Sequence, residues 1–256
     1  MNIKFLNPCL FVFAVIVASG SWGSCSVAQS AAKQTTGQIG QTASQGSGTT
    51  QVKATEVAAV NPLMDPSRAN VVAPDKFRAK FNTTRGVFVV EVTRAWAPNG
   101  ADRFYNMCRS GYFNDIAIFR SIRGFMFQFG IHGDPVVSQK WLAANIKDDK
   151  PINISNERGT LSFAQTGRPN SRSVQMFVNT ANNDFLDKAA AGENAPPPYL
   201  PFGKIVSGIS VIDKIYITKE NEKDVQGKFR QGGNEYIKAK YPHADYIRSV
   251  EISVTN

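Results

Sequence analysis

Cysteine is nearly absent from the part of this chain that can fold. Of three cysteines, Cys9 and Cys25 lie in an N-terminal stretch that has the pattern of a removable export signal, which leaves Cys108. A single cysteine can form neither an internal disulfide nor a cysteine metal site, so the fold must stand on its core alone. Histidine is equally sparse, with only His132 and His243. No Ser-His-Asp arrangement and no metal-ligand spacing surrounds them, so both read as loop residues. Charge of one sign is in excess, +9 overall, yet the basic residues from Arg78 to Arg248 are scattered rather than clustered. Without a basic-aromatic stripe, nothing here favours nucleic acid.

Long apolar runs are lacking too. The run Cys9 to Ala18 (CLFVFAVIVA) is too short to cross a bilayer, which takes about 20 residues. Lys4 precedes it as a positive n-region, and Ser26-Val27-Ala28 follows with the small residues that a signal peptidase reads. Residues 1–28 therefore read as a cleaved export signal, with the mature chain starting near Gln29 and its charge falling from +9 to +8 with the loss of Lys4. A retained anchor, or lipidation at Cys25, is the other reading of this stretch. Trp22-Gly23-Ser24 lacks the aliphatic residue usual before a lipid-acceptor cysteine. From Gln29 to about Ala59 the chain is Ala, Gln, Thr, Ser and Gly with almost no large apolar side chains. Such a stretch cannot bury enough surface to offset its conformational entropy. Residues 29–74 are read as a disordered tether, and 75–256, roughly 180 residues, as one domain with a single core.

Within that domain the pattern is mainly β. Phe77 to Phe81 alternates apolar and basic residues, Asn82 to Gly86 is rich in turn formers, and Val87 to Val92 is strongly β-prone, which predicts a hairpin. Pro98 suits a first helical turn, and Ala101, Phe104, Tyr105 and Cys108 then share one helical face up to Gly111. Cys108 on that face reads as a packing residue rather than a reactive thiol. Short strands follow at Ile116–Phe119, Phe125–Phe129, Gly159–Ala164, Met176–Thr180 and Phe202–Val206. Ser207 can cap a second helix that turns Ile209, Ile212, Ile215 and Tyr216 inward. Tyr246 to Val254 closes the domain as a strand, and a third helix is possible over Glu235 to Lys240. Many short strands with two principal helices argue for a closed antiparallel barrel with helices over its ends. Asp148-Asp149 before Lys150 reads as a solvated turn, and Pro196-Pro197-Pro198 as a stiff loop segment before Tyr199.

Two stretches carry the chemistry. Phe119-Arg120-Ser121-Ile122-Arg123-Gly124-Phe125-Met126-Phe127-Gln128 sets an arginine, bulky apolar residues and a glutamine close together. On a strand Met126 and Gln128 point one way and Phe127 the other, with Phe125 joining Phe127 unless the chain bends at Gly124. Gln175-Met176-Phe177-Val178-Asn179-Thr180 repeats a glutamine beside large apolar residues. Such a surface suits a ligand with an apolar body and one or two amides to hold, and a proline-containing peptide is one. Taken singly, Phe125 and Phe177 would be core and Arg120 a surface or ion-paired residue.

The first stretch closely resembles the core motif of the cyclophilin-type peptidyl-prolyl isomerases, and the second resembles that family's next binding strand. Phe185-Leu186-Asp187 and Phe202-Gly203-Lys204 follow in the family's order, so the resemblance covers about Asp75 to Val254. It implies a closed eight-stranded antiparallel β-barrel capped by two α-helices. It also implies that Arg120 is the catalytic arginine and that Phe125, Met126, Phe177 and Leu186 form the proline pocket. Gln128 would help hold the arginine and the substrate carbonyl, and Gln175 would line the neighbouring pocket. Ala164 and Gln165 match the strand whose backbone pairs with substrate, where the family more often has Asn at the position of Gln165. Three further positions depart from well-known members: Phe119 stands where many have histidine, Phe185 where many have tryptophan, and Tyr199 where a histidine usually contacts substrate. The segments Ile131 to Glu157 and Lys219 to His243 look longer than in compact members.

The implied activity is prolyl isomerisation in exported or surface proteins, without cofactor or metal, by a monomer acting on proline-containing polypeptide clients. Two rivals remain at this level. One is a proline-peptide binding module with little turnover, and the other a small-molecule carrier with a hollow barrel.

Overall fold

The computed structural model describes residues 61–188, 197–218 and 225–254. The expected signal and most of the expected tether lie outside the described residues. The described part of the tether is not disordered. Asp65 caps a short 3₁₀ turn, Pro66–Arg68, and residues on both sides of it dock on the domain. Trp141 Nε1 donates to Leu63 O at 2.8 Å, and the backbone N–H groups of Val71 and Ala73 donate to Asn106 and Asp102 at 3.0 and 2.9 Å. The ordered domain thus begins well before Asp75, because backbone donors of this segment meet side-chain acceptors on a helix while Leu63, Ala69 and Ala73 pack on the core.

A nine-stranded antiparallel sheet organises the described residues. In chain order the strands are β1 Lys76–Thr83, β2 Gly86–Thr93, β3 Ile116–Ala117, β4 Arg120–Ile122, β5 Met126–Phe129, β6 Thr160–Phe163, β7 Met176–Asn179, β8 Pro201–Ser207 and β9 Tyr246–Val254. Their order across the sheet is β3-β9-β1-β2-β8-β6-β7-β5-β4. The two edge strands, β3 and β4, are separated in sequence only by Ile118 and Phe119, so the sheet curls until its edges meet along one stretch of chain. The expected closed eight-stranded ladder is therefore corrected. Among the described residues there are nine strands, and the ring is completed by the covalent chain rather than by a β3–β4 ladder.

The expected hairpin is β1–β2, in register Phe77↔Val92 and Phe81↔Phe88. Its inward residues meet a barrel interior filled with rings. Phe81 and Phe88 stack at 4.7 Å, and Phe104, Phe113, Phe127 and Phe129 pack around them. That filling supports a packed barrel rather than a hollow carrier.

Helix α1, Pro98–Arg109, buries Ala101, Phe104 and Cys108 as the spacing predicted, while Tyr105 of the same expected face is only partly buried against the core. Burial pushes the Cys108 thiol well above its ordinary range, which leaves it unreactive. No residue of α1 itself caps its N-terminus. Asp149 does so from a distant loop, accepting from the N–H groups of Asn99 and Gly100 at 2.7 and 3.1 Å. Arg172 Nη1 donates to the same carboxylate at 2.9 Å, and both side chains are buried. The reading of Asp148-Asp149 as a solvated turn is thus wrong for Asp149, which is pulled inward by a helix end and a buried guanidinium.

The second expected helix is a 3₁₀ segment, Ile209–Lys214, in which Val211 N donates to Gly208 O. Ser207 remains the end of β8 and caps nothing. Gly208, at φ 76°, makes the turn, and a Cβ there would meet Val87 O at 2.3 Å. The tighter helix turns Val211, Ile212 and Ile215 inward but leaves Ile209 and Tyr216 exposed, contrary to expectation.

The two longer segments each supply a helix. In the first, Asp134 caps α2, Pro135–Leu142, accepting from Val136 N at 2.7 Å, with Pro135 at its first position. In the second, α3 spans Val225–Lys240 with a kink at Gly233, where Asn234 N donates to Gly133 O at 3.0 Å. Phe229 and Ile237 of α3 are buried against Ala117, Phe119, Ile131 and Tyr246.

Candidate active site

The β4–β5 hairpin builds the centre of the site. Gly124, at φ 69°, bends the chain, and Phe125 N closes the turn on Ile122 O at 3.2 Å. The register is Arg120↔Gln128 and Ile122↔Met126. Side chains directly opposite share a face, so Arg120, Ile122, Met126 and Gln128 stand together outside the barrel while Phe127 enters its core. Strand β7 continues the same face, because Gln128 pairs with Phe177 and Met126 with Asn179. Phe125 precedes β5 and escapes the alternation, joining Met126 rather than Phe127.

Met126, Ala164, Phe177, Leu186 and Tyr199 form one buried apolar cluster, with Ile122 and Phe125 packed against it. Phe177 and Tyr199 meet edge to face at 5.7 Å. Phe185 lies 5.7 Å from Phe125 and is 42% exposed, an aromatic wall at the rim. Beside the cluster runs a line of amides. Arg120 Nη1 donates to Gln128 Oε1 at 3.3 Å, and Gln128 Nε2 donates to Gln175 Oε1 at 2.7 Å. Burial raises the Tyr199 phenol above its ordinary value, while the Arg120 charge pulls it down. It therefore stays protonated at neutral pH and keeps an O–H to donate. Ala164 N bonds to Gln175 O at 2.8 Å, and Gln165 Nε2 donates to Pro197 O at 2.5 Å, which ties down the segment leading to Tyr199.

All eleven residues singled out from sequence, from Arg120 to Tyr199, thus lie on this face or along its rim. The departure at Phe119 has a local reason. Its ring is covered by Phe229 of α3 at 5.9 Å, so it packs beneath a helix instead of facing a ligand.

What the motifs did not reveal is the support beneath the cluster. Asn156 Nδ2 donates to Asp187 Oδ1 and to Tyr199 O, both at 2.7 Å. Asn183 Nδ2 donates to Phe125 O at 2.9 Å and to Asn179 Oδ1 at 2.6 Å. Asn179 Nδ2 donates to Asn156 Oδ1 at 3.1 Å and to Thr160 Oγ1 at 2.8 Å. This buried network holds the carbonyls of Phe125 and Tyr199 and the turn carrying Phe185 and Leu186. Asn179 lies in the second motif stretch and Asn183 four residues beyond it, but their partner Asn156 is distant in sequence, so no local pattern marks the network. Two clefts of about 210 and 370 Å³, one beside Asp102 and Arg103 and one beside Trp96 and Lys204, include none of the cluster's residues.

The model of the cyclophilin type peptidyl-prolyl cis-trans isomerase family matches residues 78–230. The chain is 36% identical over 136 residues to peptidyl-prolyl cis-trans isomerase B of Escherichia coli (strain K12), covering 53% of this chain and 81% of that protein. Peptidyl-prolyl cis-trans isomerase cyp18 of Streptomyces antibioticus is 32% identical over 136 residues, with 53% of this chain and 81% of that protein covered. Among solved structures, a cyclophilin type peptidyl-prolyl cis-trans isomerase of Cryptosporidium parvum superposes with a TM-score of 0.50 at 18% identity, over 71% of this chain and 99% of that one. That likeness bears on the fold alone.

Proposed function

This chain belongs to the cyclophilin-type peptidyl-prolyl cis-trans isomerases, and we propose that Arg120 and the cluster around Met126, Phe177 and Leu186 carry its isomerase step. The observation that supports this assignment is the β4–β5 register, which sets a guanidinium beside an apolar cluster. Rotation about a peptide bond meets a barrier of about 18–20 kcal/mol because of amide resonance. For X-Pro bonds the two isomers are close in energy, so the catalyst has only a barrier to lower. As the amide twists, the proline nitrogen regains a lone pair that a fixed guanidinium can meet with N–H donors. An arginine never deprotonates and presents those donors rigidly. The contact strengthens only in the twisted state, which is what makes it effective. In this reading Phe125, Met126, Phe177 and Leu186 grip the ring, Gln128 and Tyr199 hold the flanking carbonyls, and the backbone near Ala164 and Gln165 aligns the peptide. A coupled isomerisation assay on the purified chain, wild type against variants of these residues, tests the assignment. The rival binding module would show peptide binding with negligible turnover.

The clients are taken to be exported or surface proteins, on the strength of the leader pattern in residues 1–28. Slow X-Pro isomerisation limits folding outside the cytoplasm as well as inside it. Expression in a bacterial host should release a chain starting near Gln29 into the periplasm or medium. An unprocessed chain retained in the cytoplasm would overturn this part.

Phe185 gives a further prediction. The family resemblance places here a tryptophan whose indole N–H often meets the cyclic-peptide inhibitor. Phe185 keeps the wall against Phe125 but offers no donor. Leaving the inhibitor's carbonyl unpaired costs about 1–3 kcal/mol, or about five- to a hundred-fold in affinity. The expected result is weak inhibition, largely restored in Phe185→Trp with little change in turnover. Tight inhibition of the unmodified chain would show that other contacts dominate.

A further inference from the structure

The amide line behind Arg120 does not stop at Gln175. Gln175 Nε2 donates to Gln226 Oε1 at 3.2 Å, and Gln226 stands in the first turn of α3, in a segment longer than compact members carry. The direction of every bond in the line is forced. A guanidinium has donors only, so Gln128 must turn Oε1 towards Arg120 and Nε2 towards Gln175. Gln175 must then present Oε1 to Gln128, which aims its own Nε2 at Gln226. Gln226 completes the line only as an acceptor. If Gln175 turned over, two NH₂ groups would face each other. Gln128 would then have to turn as well and set donors against the guanidinium. Gln128 is 1% exposed and Gln175 8%, so water cannot readily replace a lost partner.

We propose that Gln226 is a positioning residue for the isomerase site. As an acceptor, it holds Gln175, and through it Gln128, in the orientation that keeps Gln128 Oε1 facing Arg120. The helical run that carries it is seated by Phe229, which is buried with its ring 5.9 Å from that of Phe119. The longer segment before His243 is thereby coupled to the chemistry rather than being an outlying decoration. This inference rests on the assignment of Arg120 as the catalytic group.

The test uses the full chain and a short proline peptide. Gln226→Met removes the acceptor at similar length, Gln226→Lys offers only donors, and Gln226→Glu keeps acceptor oxygens. Gln226→Met should lower kcat/KM about three- to ten-fold, the worth of one neutral hydrogen bond, with most of the loss in kcat. Gln226→Lys should lose at least as much, and Gln226→Glu should retain most of the activity. Thermal unfolding midpoints should stay together, because Gln226 is only half-buried. In an Arg120→Ala background, Gln226→Met should add nothing. Unchanged kcat/KM in Gln226→Met and Gln226→Lys would overturn the proposal. So would equal losses in all three variants, which would indicate a merely structural role. If Arg120→Ala is itself fully active, it is the site assignment that fails. If it is inactive while Gln226→Met and Gln226→Lys match wild type, only the role of Gln226 fails.

Discussion

Arg120→Ala is expected to lower kcat/KM on a short proline peptide by about a hundred-fold or more, the scale of losing a preorganised donor to developing charge. The fold should survive, because Arg120 is half-buried on the outer face of β4 and contributes nothing to the barrel interior. Its pairing with Gln128 is a single charge-assisted bond at 3.3 Å, which is a weak anchor for the hairpin compared with the β4–β5 ladder itself. Arg120→Lys should recover little, since an ammonium offers a point charge in place of a rigid fork. A coupled assay beside circular dichroism checks both halves. Turnover within three-fold of wild type in a folded variant would remove Arg120 from the mechanism.

The largest expected effect on stability lies far from the site, at Asp149. Its carboxylate caps α1 through Asn99 N and Gly100 N and pairs with Arg172, whose side chain is 5% exposed against 1% for Asp149 itself. Asp149→Ala would orphan two helix N–H groups and leave a buried guanidinium short of counter-charge. Breaking a buried pair from one side costs about 3–5 kcal/mol. The lower end applies here, because Asp148 Oδ1 remains 3.3 Å from Arg172 Nε, though without hydrogen-bond geometry. Asp149→Asn retains acceptor capacity for the helix and should fall between. Urea unfolding measures both, and a loss under about 1 kcal/mol for Asp149→Ala would mean that Arg172 finds other partners.

Sequence was most informative where a local period coincides with a tertiary face. Strand β9 matched its expected limits, Tyr246 to Val254, and α1 buried Ala101, Phe104 and Cys108 as their spacing demands. The face that bears the proposed site was legible for the same reason, since alternation on β5 and β7 sorts Met126, Gln128 and Phe177 from Phe127 and Val178. What could not be read depended on partners distant in sequence. Asp149 looked like a turn residue because nothing nearby reveals Arg172 or the open end of α1. Strand β4 is too short for a readable alternation, since only three of its residues are laddered. Helix α2 has a local signal of its own, Asp134-Pro135, a cap followed by a first-turn proline. The expectation of a helix over Glu235 to Lys240 covers only the second run of α3, because Gly233 is non-helical and a first run, beginning at Val225, precedes it. Gln226 lay beyond motif reading altogether, for its meaning comes from the amide it faces.

The most direct measurement of the central claim is exchange spectroscopy of a proline peptide at substoichiometric enzyme, combined with methyl shifts of Met126 and Leu186. The expected result is rapid cis–trans exchange with both methyls shifted by peptide. In Arg120→Ala the methyl shifts should persist while the exchange falls to the uncatalysed rate. Exchange that continues undiminished in Arg120→Ala, or that accelerates in the wild type with neither methyl shifted, would contradict the claim that isomerisation takes place at this guanidinium and this pocket.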